Sequence, residues 1–343
     1  MNQMKAAMLV KNGPADKAFE IRETAIPTPQ ANEVRIKVQA FGLNFADVMA
    51  RLGLYDDAPP KPAIVGYDVI GHVDAVGAEI KDLKAGQRVI ALTRFGGYAQ
   101  FVCTDARGVV PIDDSTGFAE GTALATQYGT AYYAAAEMVN IYAGDHVLIQ
   151  AAAGGVGTAL VQYAKHKGAT VYGTASGGKQ DYLREIEVDH PIDYTQTDFD
   201  EAIKKLRPEG GIDVAFDSIG GAHVKKAMKL LAHGGRMVSY GAASMTNTNK
   251  NPFKMMKVAA GFGIWSPIWF LQNSRGLIGV NMLRIADHKP DVLKRVLTAV
   301  VDLYKDGVFK PTTGKEFPVS QLAEAHEYLG GRKSIGKVAV YWE

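Results

Sequence analysis

The chain has 343 residues, with 38 Lys and Arg against 36 Asp and Glu, a formal net charge of +2, and 47% hydrophobic residues. That length exceeds one small core and predicts two domains, while near-neutral charge gives no footing for nucleic acid as a partner. The lone cysteine, Cys103, excludes an internal disulfide and any multi-cysteine zinc site, and is read as a small buried apolar residue.

The N-terminal stretch MNQMKAAMLVKNG lacks the apolar run and cleavage site of a secretory leader, so a cytoplasmic, reducing location is expected. The first third reads as β-structure: KAAMLV, EVRIKVQAFG, DVIGHVDAVG, QRVIALT and YAQFV are β-prone runs bounded by turn residues. Within it, FADVMARL reads as a helix with Asn44 as N-cap, Asp47 three residues on and Gly53 as the C-terminal stop.

From about Thr126 strand-like and helical runs alternate. HVLIQ, VGTALVQYAKH, TVYGT, KQDYLREI, HPIDY, DEAIKKL, DVAFDSI, HVKKAMKLL and GRMVSYG predict a doubly wound parallel sheet. A strand LIGVNML, a helix PDVLKRVLTAVVDLYKDG and a closing strand GKVAVYW follow. The domains are placed at 1–126, completed by 287–343, and at 127–286.

AAAGGVG lies between HVLIQ and the next helix, where a dinucleotide fingerprint belongs. Gly154, Gly155 and Gly157 supply the turn, Val156 opens the helix, and Ala152 stands where the fingerprint has its first glycine. The strand after it ends in ASGGK. No carboxylate there awaits a ribose 2′-hydroxyl, whereas Ser176 and Lys179 offer a hydroxyl and a cation for a 2′-phosphate. Tyr194 adds a phenol, and NADPH is therefore expected over NADH. Asp217 reads as a turn cap and is kept out of the site.

GYDVIGHVDAVG at 66–77, LKAGQRVIAL at 83–92, GGYAQFV at 96–102 and AAAGGVG together resemble the medium-chain dehydrogenase/reductase superfamily. GLNFADVMARLGLYDDAPPKP at 42–62 and SIGKVAV at 334–340 are similar to its quinone oxidoreductase (zeta-crystallin) branch, and most of all to the subgroup related to the synaptic-vesicle membrane protein homologue. The resemblance implies an α/β fold: a GroES-like β-barrel catalytic domain plus a Rossmann domain, the active site in the cleft between them, and a homodimer through the last Rossmann strand. Zinc relatives carry Cys where this chain has Asn44 and a His-Glu pair at Tyr67 and Asp68, so no metal is expected. It implies hydride transfer from NADPH to a quinone or an α,β-unsaturated carbonyl. Asn44 and Tyr55 would serve the reacting atoms, with Tyr55 as proton donor, and Thr130, Gly241 and Asn281 would flank the nicotinamide half.

Asn44 also reads as a plain helix cap, Tyr55 as a pocket wall with water as acid. The apolar stretch 251–276 reads as core or dimer helix, as a lid over an apolar substrate, or as a membrane contact. A lipid- or membrane-associated binding protein with NADPH as a structural ligand is the rival function.

Overall fold

The computed structural model describes residues 3–208, 210–248 and 251–343. The chain divides into two compact units. One comprises 1–129, 282–306 and 311–343; the other comprises 130–281 and 307–310.

The first unit holds strands β1 (Gln3–Leu9), β2 (Phe19–Ala25), β3 (Glu33–Leu43), β4 (Ala63–Ile64), β5 (Asp68–Val76), β6 (Arg88–Leu92), β7 (Phe101–Asp105) and β8 (Val109–Pro111). Along β3 the side chains of Val34, Ile36, Val38 and Ala40 point inward at period two. Val34, Ile36 and Val38 join Phe41, Val69, Val89 and Tyr98 in one core. β1 sits between β2 and β4, and β3 pairs with β5 and β7 in antiparallel registers. Cys103 on β7 is half-exposed rather than buried, and partial burial pushes its thiol up to about 11, out of reactive range.

The second unit holds β9 (His146–Ile149), β10 (Thr170–Ala175), β11 (His190–Asp193), β12 (Ile212–Asp217), β13 (Leu231–Ser239) and β14 (Gly276–Gly279). Their order is β11-β10-β9-β12-β13-β14 and every pairing is parallel. β9 and β12 carry the apolar runs Val147–Ile149 and Val214–Phe216, as expected where helices cover both faces of such a sheet. The expected strand LIGVNML stops at Gly279. Val280 makes one last ladder bond to Ser239, and Met282–His288 turns into a helix of the first unit.

β15 (Thr313–Pro318) and β16 (Lys337–Tyr341) then return to the first unit. β16 pairs antiparallel with β3, setting Val338 opposite Leu43. That register places Lys337 beside the end of β3, where the helix Phe45–Leu52 begins.

Candidate functional site

In the second unit the parallel strands deliver their loops to one edge, the C-terminal edge where α/β sheets bind ligands. β9 feeds the glycine loop. Ser176 follows the end of β10, Tyr194 the end of β11, and Gly241 and Asn281 lie two residues past the ends of β13 and β14. All the cofactor residues expected from the sequence except Thr130, Asn44 and Tyr55 thus lie just beyond parallel strand ends. Thr130 lies in the helical turn Gly129–Tyr132, and Asn44 and Tyr55 belong to the first unit.

The glycine loop is locked from below. Ala151 takes a left-handed φ of 52°, its N–H donates to Thr174 Oγ1 at 3.2 Å, and Ala152 N–H donates to the Thr174 carbonyl at 2.9 Å. Ala152 is fully buried, and its methyl lies where a Cβ on Gly173 would come within 3.0 Å. The alanine in the fingerprint is thus accommodated by a glycine on the neighbouring strand. A Cβ on Gly157 would lie 2.3 Å from the Ala151 carbonyl oxygen. The helix Gly155–His166 starts without a side-chain cap and without an acid in its first turn, so its N-terminal N–H groups and dipole are open to an anion. This geometry fits a pyrophosphate.

Around it, Ser176 is half-buried, and burial lowers the Lys179 ammonium pKa. Tyr194 is 45% exposed. It lines a cavity of about 400 Å³ with Phe199, His223 and Lys226. One acid escaped the sequence reading. The Asp193 carboxylate lies 2.7 Å from where a Cβ on Gly177 would stand, next to Ser176. The signal was present in IDY, but on the third strand rather than the second. Asp217 accepts the N–H groups of Gly220 (2.7 Å) and Ile219, capping the turn, and burial raises its pKa to about 6. Gly241 has no room for a side chain, because a Cβ would lie 2.6 Å from the Ser218 carbonyl oxygen. Asn281 is exposed.

In the first unit Asn44 occupies the N-cap of the helix Phe45–Leu52, and Gly53 closes it at φ 69°. The Asn44 side chain, however, does not cap. Its Nδ2 donates to Asp68 Oδ2 at 2.6 Å and its Oδ1 accepts from Lys337 Nζ at 2.9 Å. Lys337 also donates to Asp68 Oδ2 at 2.8 Å, and both of these residues are fully buried. Capping falls to Asp47, whose Oδ2 accepts the Asn44 N–H at 2.8 Å. Burial, reinforced by the Asp68 carboxylate, pushes Asp47 up to about 8, so it is mostly protonated at neutral pH. Gly42 makes the cluster possible, since a Cβ there would sit 2.0 Å from Asp68 Oδ1 and 2.1 Å from Lys337 Cε.

Tyr55 follows in the loop, half-buried, with its ring edge-on to Tyr67 at 6.1 Å. Burial, then the Asp57 carboxylate, raises its phenol, so it keeps its proton. Tyr67 is raised further, chiefly by burial. Asn44 and Tyr55 are thus joined through the adjacent Tyr67 and Asp68. Lys337 was missed as a site residue, although a lone cation inside the apolar strand KVAVY was a usable signal. Among the described residues no cluster of three or more His, Cys, Asp or Glu is arranged to hold a metal.

A phosphate-ready glycine loop on a parallel sheet, paired with a β-rich unit, defines a two-unit nicotinamide-type oxidoreductase fold. Family models agree: residues 30–114 match the alcohol dehydrogenase GroES-like domain and 186–340 match a zinc-binding dehydrogenase domain. The chain belongs to the medium-chain dehydrogenase/reductase superfamily. It is 36% identical over 338 residues to the synaptic vesicle membrane protein VAT-1 homolog of Rattus norvegicus, covering 98% of this chain and 83% of that protein. Among solved structures it is similar to the CurK enoyl reductase (28% identity, TM-score 0.86, 100% of both chains covered). It is likewise similar to a Pseudomonas syringae pv. Tomato quinone oxidoreductase (25%, 0.86, covering 98% of this chain and 99% of that one).

Proposed function

We propose that the protein is an NADPH-dependent, zinc-independent reductase of quinones or α,β-unsaturated carbonyls. The observation that carries this reading is the buried Lys337–Asp68–Asn44 cluster. Asn44 and Asp68 stand where the resemblance places ligands of zinc relatives, and the Lys337 ammonium group supplies the local positive charge, 2.8 Å from Asp68 Oδ2. Asn44 is committed to hydrogen bonds and Tyr67 stays neutral, so the donor set does not fit a zinc ion. Without a Lewis acid, conjugated acceptors that spread incoming negative charge are the favoured substrates.

The bound dinucleotide would supply the hydride. Gly154, Gly155, Val156 and Gly157 would hold its pyrophosphate, with Ser176, Lys179 and Tyr194 at the 2′-phosphate and Thr130, Gly241 and Asn281 toward the nicotinamide. The absence of an acid at the end of β10 supports NADPH; Asp193 beside Gly177 is the one feature favouring a free ribose. Hydride acceptance leaves negative charge on the substrate oxygen, which neutral donors stabilise. Tyr55 keeps its proton for delivery. Among the described residues β14 has no partner strand on its outer edge, which supports the homodimer reading.

Tyr55→Phe is expected to lower enone turnover at least about tenfold while the NADPH dissociation constant barely moves. Equal turnover in variant and parent removes Tyr55 as the acid. Failure of the parent protein to oxidise NADPH with any quinone or enone overturns the function itself.

A further inference from the structure

The helix Met282–His288 is anchored in the first unit by Met282 and Leu283, which are buried. Arg284 and Asp287 stand three positions apart on it and so share a face. Each meets a different loop of the same unit. Arg284 Nη2 donates to Asp57 Oδ1 at 2.5 Å, and Arg94 Nε donates to the two Asp287 carboxylate oxygens at 2.9 and 3.2 Å.

Both loops lead to Tyr55. Asp57, its side chain only 15% exposed, lies two residues beyond Tyr55, in a turn that the Ala58 N–H closes on the Tyr55 carbonyl at 3.1 Å. The Arg94 guanidinium covers the Phe95 ring, 4.7 Å from its centroid. That ring lies 5.2 Å from Tyr67, against which Tyr55 stands edge-on. Phe95 takes a left-handed φ of 66°, which is costly for phenylalanine and persists only where the surroundings hold it.

The charges match as well as the positions. Burial first and the Asp57 carboxylate next raise the Tyr55 phenol, while the Arg94 guanidinium lowers it. The helix meets each of these two charges with its opposite. A single pair with an exposed partner contributes little, and Arg284 is 56% exposed. Two pairs from one helix face are different: once the first has fixed the helix against one loop, the second has one partner left to order rather than two.

We propose that Arg284 and Asp287 are positioning residues for Tyr55. From one helix face they set the loop that carries it and the loop that holds Phe95 against Tyr67. They act through these rings rather than on the substrate. The proposal rests on the reductase reading and names what fixes the distance from the Tyr55 phenol to the acceptor, a quantity to which turnover is steeply sensitive.

The test combines turnover with hydrogen exchange, both on the full chain. Arg284→Gln is expected to lower kcat with benzoquinone or cyclohexenone about five- to tenfold while the NADPH dissociation constant stays put. Arg284→Lys keeps the cation and should retain at least about half of the parent kcat. Asp57→Asn combined with Arg284→Gln should cost no more than the larger single effect. Lys294→Gln removes a surface pair with Asp82 from the next helix, Pro290–Lys305, and should leave kcat unchanged. In Arg284→Gln the Ala58 amide should exchange about tenfold faster while the β3 amides keep their protection. Unchanged Ala58 exchange overturns the proposal whatever the turnover. Faster exchange at the parental kcat, or additive losses in the double variant, overturns the positioning role. A parent that reduces neither acceptor fails the reductase reading, and Ala58 exchange still decides whether the helix holds the loop.

Discussion

Lys337→Met tests whether the cluster under Asn44 is a coupled unit. In the parent, Lys337 Nζ lies 2.8 Å from Asp68 Oδ2 and 2.9 Å from Asn44 Oδ1, with Lys337 and Asp68 both at 0% exposure. The methionine fills similar space but leaves a buried carboxylate with one donor, Asn44 Nδ2, and its Oδ1 already lacks a partner. Stranding one member of a buried pair costs about 3–5 kcal/mol. Adding Asp68→Asn removes the stranded charge and should recover about 2–3 kcal/mol of that. The readout is urea-dependent hydrogen exchange of the β3 and β16 amides, because a chain of two units need not unfold in one step. A cost for Lys337→Met below about 1 kcal/mol, or a double variant no more stable than the two single effects summed, refutes the coupling.

Asp47 makes stability depend on pH. Its folded pKa of about 8 lies above the unfolded value of 3.8, so from about pH 4 upward the unfolded chain releases a proton that the folded chain keeps. Stability falls as pH rises through that window. Asp47→Asn should flatten the slope between pH 5 and 8 in chemical denaturation, which an unchanged slope would contradict. Gly157→Ala would set a methyl 2.3 Å from the Ala151 carbonyl oxygen and 2.7 Å from Ala152 Cα. It should raise the NADPH dissociation constant at least about tenfold in a fluorescence titration. Unaltered binding would dissociate the glycine loop from the cofactor.

What could be read from the sequence was local. The cap Asn44, its partner Asp47 and the stop Gly53 are contiguous, and the helix they bound was legible. The glycine loop, with its preceding strand and following helix, was legible for the same reason. What escaped depends on pairing between distant segments. Lys337 meets Asn44 across 293 positions, through a β16–β3 register that no local pattern encodes. Gly42 and Gly173 looked like ordinary strand glycines; each gives room to a side chain from another segment, Lys337 and Asp68 for the first, Ala152 for the second. The capping reading of Asn44 was right in position and wrong in chemistry, because its amide faces Asp68 and Lys337 while the cap comes from Asp47.

The most direct test of the account is NADPH and NADH oxidation measured side by side across simple quinones and enones, in the parent chain and in Lys179→Ala. The account predicts turnover with NADPH at least about tenfold above NADH in kcat/KM, with the preference falling in Lys179→Ala through a higher KM for NADPH alone. A preference for NADH, or one that Lys179→Ala leaves unchanged, would contradict it and point to Asp193 as the residue facing the ribose.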